Sequence, residues 1–238
     1  MGKGKLNKFE ELKTFSNVFQ PPINEVFEKD FNLKGKWGVD HFKNDHPIVL
    51  ELGCGKGEYT VGLAGLFPGK NFIGIDIKGA RIWKGAKHAY GENTPNVAFL
   101  RTRIEFIHSC FGKDEVEEVW ITFPDPQLKQ RRIKKRLTAA HFLNSYREFL
   151  KDRGLIHLKT DNDVLYQYTL ELVNQNKLPL LHATEDLYGS GQEDVVYGIR
   201  TYYEEQFIKK GMNIHYLKFE LPHNRTIEEQ STRANPIL

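Results

Sequence analysis

A carboxylate held between two prolines, in Phe123-Pro124-Asp125-Pro126-Gln127, runs directly into Leu128-Lys129-Gln130-Arg131-Arg132-Ile133-Lys134-Lys135-Arg136. The prolines keep the backbone extended or turned and stop a helix from starting, so the Asp125 side chain is presented for chemistry. The eight positions from Lys129 to Arg136 hold six cations. Like charges this close cost about a few tenths of a kcal/mol per pair, a cost that a polyanion would give a purpose. The chain has 34 Lys and Arg against 31 Asp and Glu, a net +3, and without these six cations it would stand at −3. The positive field is therefore local, and it borders the acidic turn. Lys129, Arg131, Arg132, Lys134, Lys135 and Arg136 are candidates for contact with nucleic-acid phosphates. The plainer alternative is a solvated helix start.

A second site is written in Glu51-Leu52-Gly53-Cys54-Gly55-Lys56-Gly57. Gly53, Gly55 and Gly57 let the backbone turn tightly after a strand and come close to a ligand. A nicotinamide-dinucleotide fingerprint would need its third glycine at position 58, which is Glu58. Together with the acid at Glu51, that spacing favours S-adenosyl-L-methionine. Asp76, at the end of Gly74-Ile75-Asp76, lies about 20 residues beyond the turn, the distance at which an acid accepts both hydroxyls of a ribose. Glu51 is placed to meet the amino group of a methionine moiety, directly or through water.

A further carboxylate follows in Lys159-Thr160-Asp161-Asn162-Asp163. Asp161 and Asn162 are both suited to cap the next helix. If Asp161 instead converges with Asp125, the two accept from N1–H and the exocyclic amine of a guanine, a pair of donors on one edge.

These groups need a scaffold that gathers them at one rim. Apolar runs at Ile48 to Leu52, Asn71 to Asp76, Val97 to Thr102, Glu117 to Phe123 and Gly154 to Thr160 read as buried strands. Helical spacing lies between them, clearest from near Thr138, where Phe142, Leu143, Tyr146, Phe149 and Leu150 share one side until Gly154. In the tail, Leu180 to Ala183 and His215 to Leu221 read as strands, the last joining the sheet's edge, with a helix over Arg200 to Lys210. The order predicts an α/β fold with a doubly wound, mostly parallel, seven-stranded sheet and ligands at the strands' carboxyl ends.

At 238 residues and 39% hydrophobic content the chain suffices for one large domain, expected over 23–238 after an N-terminal arm, 1–22, whose weak fold signal suggests mobility. No apolar run approaches the length of about 20 residues that a membrane span needs, and the start, with Lys3, Lys5 and Lys8, lacks a signal-peptide core. A cytoplasmic protein without membrane association is expected. Cys54 and Cys110 form no CxxC pair, and the nine histidines show no ligand spacing, so no metal is expected either. Monomer and homodimer are equally compatible with the sequence.

Glu51 to Gly57, Gly74 to Asp76, Phe123 to Pro126 with Lys129 and the basic run, Lys159 to Asp161, and Arg200-Thr201-Tyr202-Tyr203-Glu204 together resemble the bacterial tRNA (guanine-N7-)-methyltransferase family over roughly residues 45 to 221. The resemblance implies the Rossmann-like class I S-adenosylmethionine-dependent methyltransferase fold and methyl transfer to N7 of guanine in tRNA, at guanine 46 of the variable loop. It implies Asp125 near the reacting base, cofactor contacts from Glu51, Asp76 and Asp125, and tRNA contacts from Lys129, Asp161, Thr201, Tyr202, Tyr203 and Glu204; joined to the paired-carboxylate reading above, it makes Asp125 and Asp161 the candidate catalytic residues. Spacing alone would not have nominated Thr201 to Glu204.

Three positions depart from the family pattern. Asp-Pro-Gln-Leu-Lys replaces the usual Asp-Pro-Trp-Pro-Lys, which removes a ring and a proline. Arg103 stands where the family commonly has an acid near the adenine, leaving its backbone to line that pocket. Asp76 replaces the more frequent Glu. A base-flipping amino-methyltransferase would need adjacent prolines and an aromatic ring after Asp125, and has neither here. A non-catalytic RNA-binding protein differs in one property: it would not bind the cofactor.

Overall fold

Ile48–Leu52 (β2) and Asn71–Ile75 (β3) are buried at every position, the pattern of strands covered on both faces. The computed structural model describes residues 3–189 and 198–229, with the side chains of Lys3 and Tyr203 outside the described part. Helices Glu58–Leu66 (α2) and Gly79–Gly91 (α3) connect β2 to β3 and β3 to Val97–Leu100 (β4). Val116–Thr122 (β5), Ala140–Tyr146 (α4), Leu150–Thr160 (β6) and Asp163–Gln175 (α5) follow, then Leu180–Thr184 (β7), Tyr202–Lys209 (α6) and His215–Leu221 (β8). Ahead of them lie helix Lys3–Leu12 (α1) and the two-residue strand Val18–Phe19 (β1).

The sheet has eight strands in the order β1-β4-β3-β2-β5-β6-β8-β7, one more than the seven expected. The extra strand is β1, which pairs in parallel with β4 as Phe99 N donates to Asn17 O and Arg101 N to Phe19 O, both at 2.8 Å. Two residues are too short for a period-2 signal; the open edge of β4 recruits them by its unpaired backbone groups. The stretch read as an arm thus folds against the body, with Leu12 and Phe15 buried and Glu11 accepting from the Trp83 indole at 2.7 Å. β8 runs antiparallel between β6 and β7, not at the edge as expected; β7 holds that place.

α4 also ends earlier than its apolar pattern suggests, at Tyr146. Phe149 and Leu150 remain fully buried, one in the turn and one opening β6, because a strand beginning can satisfy the same spacing as a helix end. Side-chain alternation divides the core between two faces. Leu50, Leu52, Ile73, Ile75, Val119 and Ile121 face α4 and α5, whereas Val49, Phe72, Val97, Phe99 and Trp120 face α1, α2 and α3. The chain runs outward from β2 through β3 to β4 and then returns to β5, so the switch in winding lies between β2 and β5, where a doubly wound sheet binds ligands. Among the described residues no helix is long and apolar enough to cross a membrane.

Gly57 shows how tightly the first crossover is packed. Its φ is +71°, and a Cβ there would stand 2.6 Å from the Phe99 ring. Gly57→Ala is expected to cost about 2–4 kcal/mol by overpacking and left-handed strain, read as a lower urea midpoint. An unchanged midpoint would show that Phe99 can move aside.

Candidate active site

The turn after β2 uses its glycines for two purposes. A Cβ at Gly53 would meet nothing within 4 Å, and one at Gly55 only a backbone oxygen at 3.9 Å, so both border open space. Gly57 by contrast faces the core, and α2 starts immediately after it. Gly53 N and Cys54 N donate to Ile75 O at 2.8 and 3.0 Å, which ties the turn to the end of β3. Asp76, nearly buried, accepts from Gly55 N at 3.0 Å through Oδ2 and from Lys78 N at 2.8 Å through Oδ1. Its carboxylate therefore holds the turn and the start of α3 in one frame, and each oxygen retains a second lone pair for a ligand.

Glu51 sits deeper than its expected role suggests. Oε1 accepts from the Thr122 hydroxyl at 2.6 Å, and Oε2 from Thr60 N at 2.8 Å and from the Thr60 hydroxyl. Burial pushes its pKa up to about 7, against the opposing pull of those hydrogen bonds. A bound cation at the site would draw Glu51 back towards its ionised form. Next to Asp76, a cavity of about 330 Å³ opens between Ile77, Arg101, Thr102 and Arg103 on one side and the segment from Gln20 to Ile23 on the other.

The acidic turn emerges from β5 beside the end of β6. Phe123 N donates to Lys159 O at 2.8 Å, and Thr122 is paired with Lys159 in register, so Asp125 and Asp161 leave adjacent strand ends. Asp125 is exposed and its Oδ1 accepts from Gln127 N at 3.0 Å, closing the turn. Asn162 takes the cap of α5, its Oδ1 accepting from Leu165 N at 3.0 Å. Asp161 is thereby left for other work, and partial burial raises its pKa from the ordinary aspartate value.

Lys129, Arg131, Arg132, Lys134 and Lys135 are exposed on and beside a short 3-10 helix, Gln130–Lys135. Arg136 is a correction to the expected patch. It is buried, its Nε donates to Pro126 O at 3.0 Å, and its guanidinium lies 4.4 Å from the centre of the Tyr168 ring. It braces the acidic turn from beneath and offers no charge to a polyanion.

The segment from Thr201 to Glu204 is likewise built differently from its expectation. Thr201 Oγ1 accepts from Glu204 N and Glu204 Oε2 from Thr201 N, both at 3.2 Å, a reciprocal cap that starts α6. Glu204 has no exposure: its Oε1 lies 2.6 Å from Lys159 Nζ, itself 0% exposed, and accepts from the Tyr188 hydroxyl at 2.6 Å. Glu204 therefore supports the site from within. Tyr202 does reach the rim, half exposed, with its N donating to Glu58 Oε2 at 2.9 Å and Lys56 Nζ 4.1 Å from its ring centre. Phe123 and Phe207, with centroids 5.7 Å apart, pack α6 against the acidic turn.

A family described as “Putative methyltransferase” matches residues 45–217 of the chain. The tRNA (guanine-N(7)-)-methyltransferase of Bacteroides thetaiotaomicron is 50% identical over 96% of this chain and 90% of its own length. That of Porphyromonas gingivalis is 55% identical over 88% of this chain and 86% of its own. The chain belongs to the tRNA (guanine-N(7)-)-methyltransferase family. Its class I methyltransferase fold is shared with the 16S rRNA methyltransferase KamB at a TM-score of 0.60 and 13% identity, over 79% of this chain and 94% of that one.

Membership of the family sharpens the meaning of two departures. With Gln127 and Leu128 in place of the ring and second proline, the turn is held by the Asp125–Gln127 bond and by Arg136. Arg103 is turned to Glu105, 3.1 Å away at the surface, and is among the residues that line the cavity.

Lys56, Glu58, Lys159, Tyr188 and the Gln20 segment were not singled out by sequence. Lys159 did carry a signal, since a lysine inside an otherwise buried strand demands a buried acid. Removing one member of the Lys159–Glu204 pair, as in Glu204→Gln, is expected to cost about 3–5 kcal/mol of unfolding free energy. Lys159→Met with Glu204→Leu should recover most of that loss in the same urea titration. A double variant no more stable than Glu204→Gln would show that the charges are needed together.

Proposed function

We propose that this chain is a cytoplasmic enzyme that transfers a methyl group from S-adenosyl-L-methionine to N7 of a guanine in tRNA, at guanine 46 of the variable loop. The observation that carries the reading is the adjacency of the Asp125 turn, at the carboxyl rim of β5, to five exposed cations. The relatives' names and the sequence resemblance supply the base and the RNA class.

The residues at the rim fit the cofactor. Gly53 and Gly55 border open space, Asp76 has lone pairs to spare for ribose hydroxyls, and a cavity of suitable size lies beside it. In this reading Glu51, Gly53, Gly55 and Asp76 hold the methionine and ribose portions, Gly57 serves them only by letting the turn pack on Phe99, and Arg103 lines the purine end. Bound there, S-adenosyl-L-methionine supplies an electrophilic methyl group on a positively charged sulfur.

Guanine N7 carries an in-plane lone pair, so no residue has to remove a proton before attack. The main task of the chain is orientation, which is worth several kcal/mol when a base is held in line. Asp125 and Asp161 accept from the guanine edge and fix its plane. As N7 becomes alkylated, positive charge spreads over the purine, and both carboxylates favour that state over neutral guanine. Lys129, Arg131, Arg132, Lys134 and Lys135 hold neighbouring phosphates, while Tyr202 offers a ring at the rim and Glu204 fixes its position.

With labelled cofactor and tRNA transcripts, Asp125→Ala and Asp161→Ala are each expected to lower turnover at least about a hundredfold with the fold intact. Near-normal turnover in both variants would end this assignment, and mapping the labelled nucleotide tests guanine 46. Replacing Arg131, Arg132, Lys134 and Lys135 by Ala should weaken tRNA binding and make its log–log salt dependence shallower by about 3, with cofactor affinity unchanged. An unaltered salt slope would place the RNA elsewhere.

A further inference from the structure

The cavity beside Asp76 has one wall that no motif supplies. Its inner side is the carboxyl end of β3 and β4, at Ile77 and Arg101 to Arg103; its outer side is the segment from Gln20 to Ile23, with Val26 beyond. We propose that residues 20–26 form the outer wall of the subsite for the cofactor's purine base, and that Arg101 is the positioning residue that holds this wall in place. The inference rests on the S-adenosyl-L-methionine reading above and extends it to a part of the chain that the glycine turn does not reach.

Arg101 binds three separate segments at once. Its Nη1 donates to Gln20 Oε1 and its Nε to Ile77 O, both at 3.2 Å, and its guanidinium lies 4.8 Å from the centre of the Phe9 ring on α1. Its own backbone N is the one that donates to Phe19 O, so the last β1–β4 ladder bond and the Gln20 contact meet on one residue. The wall is stiff as well as anchored. Pro21 and Pro22 fix the backbone after Gln20, Phe27 N donates to Ile23 O at 2.8 Å, and Val26 is buried in the core.

The chemistry of the lining suits a flat, largely apolar base with polar edges. Ile77 and Ile23 are 52% and 61% exposed, an unusual state for two large aliphatic side chains lining the same cavity. A base inserted between the two sides would remove that apolar surface from water. Thr102 and Arg103 line the same cavity and bring polar groups to that edge. Because the wall is preassembled by β1 and Arg101, binding the base need not order it first, and that saving appears as affinity.

Hydrogen exchange with S-adenosyl-L-homocysteine as the probe separates this inference from the reading beneath it. Slowed exchange at Gly53 to Gly57 and at Ile23 to Phe27 is the expected result. Slowing at the glycine turn alone would overturn the wall and leave the cofactor assignment standing; slowing at neither would overturn both. Arg101→Ala is expected to raise the KM for S-adenosyl-L-methionine about tenfold, with kcat and the KM for tRNA unchanged, and to abolish protection at Ile23 to Phe27 only. An unchanged cofactor KM would overturn the role of Arg101. Should that variant fail to fold, Gln20→Ala removes only the outer hydrogen bond, and the same split between cofactor KM and kcat, or its absence, decides.

Discussion

Lys159 and Glu204, a cation and an anion with no exposure to water, meet near the carboxyl rim of the sheet. Neither charge can be buried alone, because the loss of hydration would far exceed any packing gain. Burial pulls the Lys159 pKa down while Glu204 holds it up, and the Tyr188 hydroxyl adds a hydrogen bond. The consequence is topological. A residue of the C-terminal third must come to the end of β6, and once α6 is seated there, Tyr202 reaches the start of α2 and Phe207 reaches the acidic turn. The rim is thus assembled from chain segments far apart in sequence by one demand for charge neutrality.

The same rim keeps its negative and positive groups apart. Acids lie at the strand ends: Glu51 buried under the glycine turn, Asp76 bridging that turn to α3, then half-buried Asp161 and exposed Asp125. Cations lie outside on the short helix after the acidic turn, exposed and crowded. In the proposed reaction a polyanionic chain would be drawn to these cations, whereas a base delivered to the strand ends would meet carboxylates that favour positive charge. The two proposed tasks, attraction of the backbone and stabilisation of an alkylated purine, would thereby fall to different residues, and neither need weaken the other. Arg136 joins the two by turning inward to hold the Pro126 carbonyl.

Much of this was legible in the chain because it depends on local rules. Apolar runs marked the parallel strands, the alternation with helices marked the doubly wound order, and the glycine spacing with a distant acid marked the tight turn that Asp76 holds. Periodicity failed where two structures obey the same spacing, as at Phe149 and Leu150, and where an element was too short to have a period, as at Val18 and Phe19. Thr201 and Glu204 entered through the family resemblance alone, and no local pattern says which residue will bury its charge. Asp161 and Asn162 were equivalent as caps on paper; one hydrogen bond from Leu165 separated them.

By itself, then, the chain determined the architecture, the glycine-rich turn, the acidic turns and the place of the positive field, since each arises from residue type and near-neighbour spacing. Tertiary structure alone decided that Arg136 is a brace, that Glu204 neutralises Lys159, and that residues 20–26 close the cavity beside Asp76. Those outcomes depend on desolvation and on unpaired backbone at a sheet edge. Both are properties of what surrounds a residue after folding, and no local pattern records them.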